Sequence, residues 1–465
     1  MGRDTNSRGR VGRRSYLRAV GAGATAAGLA GCVGNLTGGG SGEPGGQVDD
    51  TANPTGSYEG VELNFATSSN YIDAWNDLAS QFSEQSGIEV EVTSYAQSEM
   101  LTQLLNQFRA QEASFDAFIS DVIWTGSFMQ PGFAEDLGPY FDSPLANADY
   151  DYDDHLTVFA ENYGQWNGTR YGLPWYGDVM KLSVRKDVLE EHADAYESEH
   201  DESIMPEMFG GYESYAKYNR VAQFMHDQGW DMGLEGQRGW NIVYYYPNRF
   251  AAETGEASML DDDGNSRLDA EGATTALQHY IDQVEWARNP LSTGYTQSRD
   301  QFLDGNTWAV EQWGTATAQF IDEWGWEEGV RVSLTPGGYP NLGGWGVLLN
   351  TYSNQEVKDA AFLFAQWATS KEMDKYAFTE HGVTPTRRSS FTDEIKEEYP
   401  QARYQDPEEN PGIEQLSLRP RNPSYQELGD TMQVQISDAL SGNTGAAETM
   451  QSIHDEWESI MSENE

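Results

Sequence analysis

Acids and flat rings recur side by side along this chain, and their chemistry is the easiest to name. Asp121 and Trp124 stand at the end of the apolar run Ala117–Ile119. Tyr176 and Asp178 close the segment Tyr171-Gly-Leu-Pro-Trp-Tyr-Gly-Asp178. Trp240 and Tyr244 lie in the aromatic block Gly239-Trp-Asn-Ile-Val-Tyr-Tyr-Tyr246. Trp313 precedes Gly314, and Trp345 follows Gly344. A ring can stack on the apolar face of a ligand, and a carboxylate can accept paired hydrogen bonds from its hydroxyls. Each residue also has a plainer reading. Asp121 would serve as a helix cap, Trp124 as core, and Trp240 and Tyr244 as part of a buried aromatic layer.

No local signature of bond-breaking chemistry stands out, and a surface glycoside hydrolase is the weaker alternative. The chain has no Gly-x-Ser-x-Gly and no His-Glu-x-x-His, and its seven histidines (155, 192, 200, 226, 279, 381 and 454) lack ligand spacing. The stretch Leu260-Asp-Asp-Asp-Gly-Asn-Ser-Arg-Leu268 tempts one toward a calcium loop. Counted from Asp261, position 6 is Ser266 and position 12 is Gly272, where Gly and Glu are needed. A hairpin turn at Asp263-Gly264 is expected instead. Paired carboxylates, the means of a glycoside hydrolase, can be imagined anywhere among 75 acids, and nothing local singles one out. No metal and no cofactor is expected.

Those 75 acids face 28 bases over 465 residues, a net charge of −47. Such a surface repels a phosphate backbone, so nucleic acid is excluded as a partner. Aromatics at 12% exclude a disordered acidic polymer. Only seven bases are Lys. Dense acid with scarce Lys points to a hypersaline habitat, where the Debye length falls to ~3 Å and like charges are screened. The fold is then expected to weaken in dilute buffer.

The first residues read as an address. Arg3, Arg8, Arg10, Arg13, Arg14 and Arg18 precede a twelve-residue apolar run, Ala19–Ala30, too short to span a bilayer. Arg13-Arg14-Ser-Tyr-Leu-Arg18 resembles a twin-arginine export signal, and Leu29-Ala-Gly-Cys32 a lipobox. The only cysteine therefore falls where a lipoprotein carries its acyl chains, and no intramolecular disulfide or Cys-based zinc site can form. Residues 1–31 are expected to be a signal peptide and 32–57, rich in Gly, Pro, Asp and Thr, a flexible tether.

The elements that must position the rings and acids alternate in type. Val61–Phe65 and Ile88–Val92 alternate with period two, and Ala117–Ile119 is a third short strand. Between them Trp75, Leu78, Ala79 and Phe82, then Leu101, Leu104, Leu105 and Phe108, form helical stripes. Gly87 should end the first helix. This order predicts a parallel α/β sheet. Ligands of such sheets sit beyond the carboxyl ends of strands, which puts Ser68–Tyr71 and Asp121–Trp124 at one rim. Asn167-Gly168 predicts a hairpin. Later stripes at Val357, Ala360, Ala361, Phe364 and Ala368, and at Leu428, Met432, Ile436 and Leu440, predict two more helices.

Seven segments in order resemble an extracellular solute-binding protein of an ABC importer, in the sugar-binding group typified by maltose/trehalose-binding proteins. They are Phe82–Val92, Phe115–Trp124, Tyr171–Leu182, Phe302–Val310, Gly343–Asn350, His381–Arg387 and Arg419–Tyr425. Together with the address they resemble the haloarchaeal lipoprotein type. The resemblance implies a two-lobed, type II periplasmic-binding-protein-like α/β fold with three hinge crossings. Lobe 1 is placed at 58–177 and 348–388, lobe 2 at 178–347 and 389–462. It implies a monomeric, lipid-anchored receptor that binds a sugar between the lobes and delivers it to a membrane-embedded permease, not an enzyme. Tyr176 and Asp178 match hinge positions that contact sugar. Trp313 matches a stacking ring, and Gly344 and Trp345 a backbone donor and a second ring. Arg387 would fork onto hydroxyls or bridge the lobes. The block holding Trp240 and Tyr244 has no placed counterpart. The same fold binding iron, a polyamine or a peptide is the alternative. A phosphate solute would want an anion nest that the sequence does not display.

Overall fold

The structure, a computed structural model, describes residues 57–463. The expected leader, the lipidation site Cys32 and all but the last residue of the tether lie outside them. Ten strands are named here in chain order: β1 Glu62–Ser68, β2 Glu89–Tyr95, β3 Ala117–Asp121, β4 Gln165–Trp166, β5 Thr169–Arg170, β6 Gly172–Tyr176, β7 Lys181–Arg185, β8 Ala309–Gln312, β9 Val330–Ser333 and β10 Trp345–Leu349.

The first half folds as its periodicity dictates. Trp75, Leu78, Ala79 and Phe82 are all buried, and Gly87 ends their helix at φ 72°. β1, β2 and β3 pair in parallel. The parallel sheet expected from this alternation is nevertheless mixed. Its order is β2-β1-β3-β10-β6, and β10 runs antiparallel to both neighbours. The cause is geometric. β10 enters from the second lobe at the rim where β3 ends and β6 leaves, so it must run the opposite way. Asn167 and Gly168, at φ 49° and 79°, close the expected hairpin between β4 and β5. The turn at Asp263-Gly264 also forms, closed by a bridge between Leu260 and Ser266.

The second sheet is small and antiparallel, in the order β8-β7-β9. Long helices, Tyr215–Asp227, Trp240–Thr254, Glu271–Trp286 and Tyr425–Leu440, supply most of that lobe's core. The two lobes bury separate apolar clusters, one around Phe65, Trp75, Phe118 and Phe364, the other around Tyr218, Tyr245, Trp308 and Trp457. A third cluster, including Leu156, Phe159, Val179, Leu342 and Tyr404, fills the space where the chain crosses. The division expected at 347/348 falls inside β10. That strand pairs with β3 from Trp345 to Leu349 and with β6 from Trp345 to Leu348.

Candidate functional site

Register brings the first-lobe candidates together. Trp345, the first residue of β10, stands opposite Asp121, the last of β3, and opposite Tyr176, the last of β6. One row across the sheet rim therefore carries an acid and two rings. Tyr71, from the turn after β1, packs edge-on against Tyr176, Trp345 and Trp175 at 5.4–5.6 Å. Trp124 meets Trp345 edge-on at 5.2 Å and lies in the first-lobe core. The row is nearly dry, with Tyr176, Trp345 and Asp121 at 2%, 3% and 8% exposure.

The second sheet presents its own rim. Lys181 opens β7 opposite Gln312, which ends β8, so Asp178 and Trp313 flank the same edge. Asp178 Oδ1 accepts the Gly314 amide at 3.0 Å, at the start of the helix Gly314–Trp324. One of its oxygens is thus committed to the fold. Trp313 lies on Gly343, where an added Cβ would come within 2.6 Å of the ring. Its edge meets Tyr244 at 5.4 Å. Trp240, the first residue of its helix, stays 37% exposed and stacks on Tyr425 at 5.7 Å. Gly344, at φ 94°, accepts the Val122 amide at 3.1 Å through its carbonyl.

Burial governs the charges. It raises the carboxyls of Asp121 and Asp178, which Arg419 and Lys181 respectively pull back down. Arg419 approaches Asp121 to 3.8 Å. Burial also lowers Lys181 to about 8, against the pull of Asp178. Tyr71 and Tyr176 are held well above the phenol range by burial first, and by the Asp178 charge second. Rings and carboxylates thus share one seam, with each acid answered by a base.

Arg387 is not part of it. The residue is fully buried in the first lobe, its Nε donating to the Thr369 carbonyl at 2.8 Å and its Nη1 to the Asp151 carbonyl at 2.9 Å. The guanidinium also covers the Tyr150 ring and approaches Asp154 to 3.5 Å. Neither forking onto a solute nor bridging the lobes is open to it. Arg387→Ala is expected to lose about 3 kcal/mol of stability, by stranding buried partners, and to leave solute affinity within about twofold. Denaturant unfolding and calorimetric titration of the same variant check both halves.

Sequence reasoning placed the turn of Tyr71 at the rim but did not select the ring. It passed over Lys181, Glu235, Tyr295 and Arg419. Tyr295 opens the helix Tyr295–Leu303, and its hydroxyl pairs with Thr315 at 3.2 Å. No local pattern marks these residues, because each reaches the seam through long-range packing. A cavity of about 550 Å3 lies elsewhere, lined by Thr157, Glu161, Asn162, Ala257, Tyr339 and Gln415 among others, and carries none of the candidate rings.

The two-lobed α/β architecture is the fold of periplasmic solute-binding proteins. The chain belongs to the bacterial extracellular solute-binding protein family, which it matches over residues 77–403. It is 22% identical over 358 residues to the erythritol/L-threitol-binding protein of Mycolicibacterium smegmatis, covering 70% of each chain. It is 24% identical over 359 residues to a probable amino-acid ABC transporter periplasmic-binding protein of Sinorhizobium fredii, covering 74% of this chain and 77% of that one. Maltose-bound MalE3 of T. maritima shares the fold at a TM-score of 0.71 and 23% identity, over 86% of this chain and 100% of that one. A ribitol complex of a solute-binding protein from Agrobacterium radiobacter does so at 0.72 and 20%, over 87% and 99%. These relatives and fold neighbours are solute-binding proteins, not enzymes. Among the described residues no helix is long and apolar enough to cross a membrane.

Proposed function

We propose that this protein is a receptor of an ABC importer that traps a sugar or polyol between its lobes and delivers it to a membrane permease. Lipid on Cys32 would hold it at the outer face of the membrane. The observation that carries the reading is the row Asp121, Trp345 and Tyr176 at one rim with Asp178 and Trp313 at the other. Rings there match the C–H faces of a sugar, and carboxylates match its hydroxyls. The named ligands of several relatives, erythritol or threitol, maltose and ribitol, support the same class. A polyamine would need net negative charge in the cleft. Arg419 beside Asp121 and Lys181 beside Asp178 already offset it, which favours a neutral solute.

The test is a thermal-shift screen of monosaccharides, disaccharides, polyols, polyamines and amino acids in molar KCl. A solute that binds only the folded form raises the melting temperature. A rise with polyamines alone, or with amino acids alone, rejects the sugar or polyol reading. Anchoring is checked by mass spectrometry of the mature amino terminus, which should begin with an acylated Cys32.

The acidic surface supports a halophilic protein. Lowering salt from molar to tens of millimolar lengthens screening from ~3 Å to 10 Å or more. Repulsion among the carboxylates should then lower the melting temperature steadily. A melting curve that stays put across that range would refute the halophilic reading.

A further inference from the structure

Glu235 lies between the helices Tyr215–Asp227 and Trp240–Thr254 and is fully buried. Its Oε1 accepts Ser298 Oγ at 2.8 Å and Gln312 Nε2 at 2.7 Å. Its Oε2 accepts Tyr244 Oη at 2.6 Å. Every donor is, or lies close in sequence to, a residue bearing one of the second lobe's rings. Ser298 shares a helix with Tyr295, Gln312 immediately precedes Trp313, and Tyr244 packs edge-on against Trp313. One carboxylate therefore ties together the second lobe's aromatic wall.

We propose that Glu235 sets the polarity that Tyr244 shows to the solute. It holds the phenol as an acceptor toward the cleft and so selects a solute that donates a hydroxyl proton there. The inference rests on the receptor reading above and names how one wall of that site discriminates.

An ionised carboxylate can only accept. The single proton of Tyr244 is then committed to Oε2, and only the lone pairs of the phenol remain for a ligand. A ligand group that cannot donate leaves those lone pairs unpaired in a dry site. Protonation of Glu235 inverts the arrangement. Gln312 Nε2 can only donate and Oε1 already accepts from it and from Ser298, which favours the new proton on Oε2, where Tyr244 is the one partner among the described residues. Oε2 then donates to Tyr244, whose own proton turns outward.

The surroundings put this change near neutrality. Burial pushes Glu235 up to about 7, against the donors Tyr244 and Ser298, and the Glu311 charge adds to the rise. The other titratable groups around it are Tyr244, Tyr245, Tyr280 and Tyr295, all raised by burial, and Glu311, held by Arg249 at 2.8 Å. Tyr280 donates to the Glu235 carbonyl.

Glu235→Gln keeps the shape and reverses one contact. Its amide oxygen must face Gln312 and Ser298, so its NH2 faces the Tyr244 oxygen and the phenol proton points into the cleft. The experiment titrates wild type and E235Q at pH 8 with the best sugar or polyol of the screen and with its deoxyfluoro analogues, since fluorine cannot donate. At one hydroxyl position wild type should lose about tenfold or more in affinity, and E235Q less than about threefold. Wild type below pH 6 should resemble E235Q. The same fluorine profile in both proteins and at both pH values overturns the proposal.

A solute-free arm separates this from failure of the receptor reading. Infrared difference spectra of each protein against its Tyr244→Phe version isolate the phenolic C–O stretch, which shifts when a phenol changes from donor to acceptor. A stretch that differs between wild type and E235Q at pH 8 supports the proposal, and an identical one overturns it. If E235Q does not fold, wild type at pH 8 and below pH 6 supplies both comparisons. A screen without a sugar or polyol hit rejects the receptor reading alone, and the infrared arm still decides the role of Glu235.

Discussion

Replacing Gly344 with alanine is expected to cost about 3–4 kcal/mol of stability, enough to unfold a large share of the protein in less than molar salt. Two effects add. The residue sits at φ 94°, a region that side chains enter at a cost. A Cβ there would also press into the Tyr176 carbonyl and the Tyr163 hydroxyl. Neither neighbour can retreat. Tyr176 belongs to β6, and the Tyr163 hydroxyl donates to the Gly343 carbonyl. Gly338→Ala is the control, because φ is 82° there but nothing lies within 4 Å of the added Cβ. It should cost only about 1–2 kcal/mol. Equilibrium unfolding of both variants in molar salt reads the difference, and equal losses would mean that strain alone acts at Gly344.

Trp313→Ala should weaken solute binding about thirtyfold, or about 2 kcal/mol, while the unliganded protein keeps most of its stability. The ring is half-buried, lies on a glycine and touches Tyr244 by its edge, so little of the core depends on it. Trp345→Ala should behave differently. That ring is 3% exposed, wedged between Tyr71 and Trp124, and its removal should cost about 3–5 kcal/mol of stability in addition to affinity. Calorimetric titration paired with melting curves separates the two. Wild-type affinity in a folded Trp313→Ala would place the solute elsewhere.

Much of the first lobe was legible because its code is local. Alternation marked β1 and β2, a helical stripe marked the segment between them, and the rule for strand ends brought Asp121 and Ser68–Tyr71 to one rim. The placement of Trp345 between Asp121 and Tyr176 was not legible, since register between strands over a hundred residues apart leaves no local trace. The strands of the second lobe were missed for another reason. β7, β8 and β9 are four or five residues long and almost wholly buried, so they show no alternation. Arg387 misled because its partners are chiefly backbone carbonyls, which a sequence cannot display. Glu235 was invisible because its three donors come from three separate segments.

The position of β10 makes the two walls unequal in how freely their side chains can be exchanged. A strand hydrogen-bonded on both sides cannot be loosened without opening the sheet, so a new side chain at Trp345 must be accommodated by the whole first lobe. Trp313 and Tyr244 stand on the other wall, less tightly enclosed. Substitutions there should disturb the scaffold less. The two walls should therefore tolerate change unequally, with Trp313 and Tyr244 replaceable at less cost to the scaffold than Trp345.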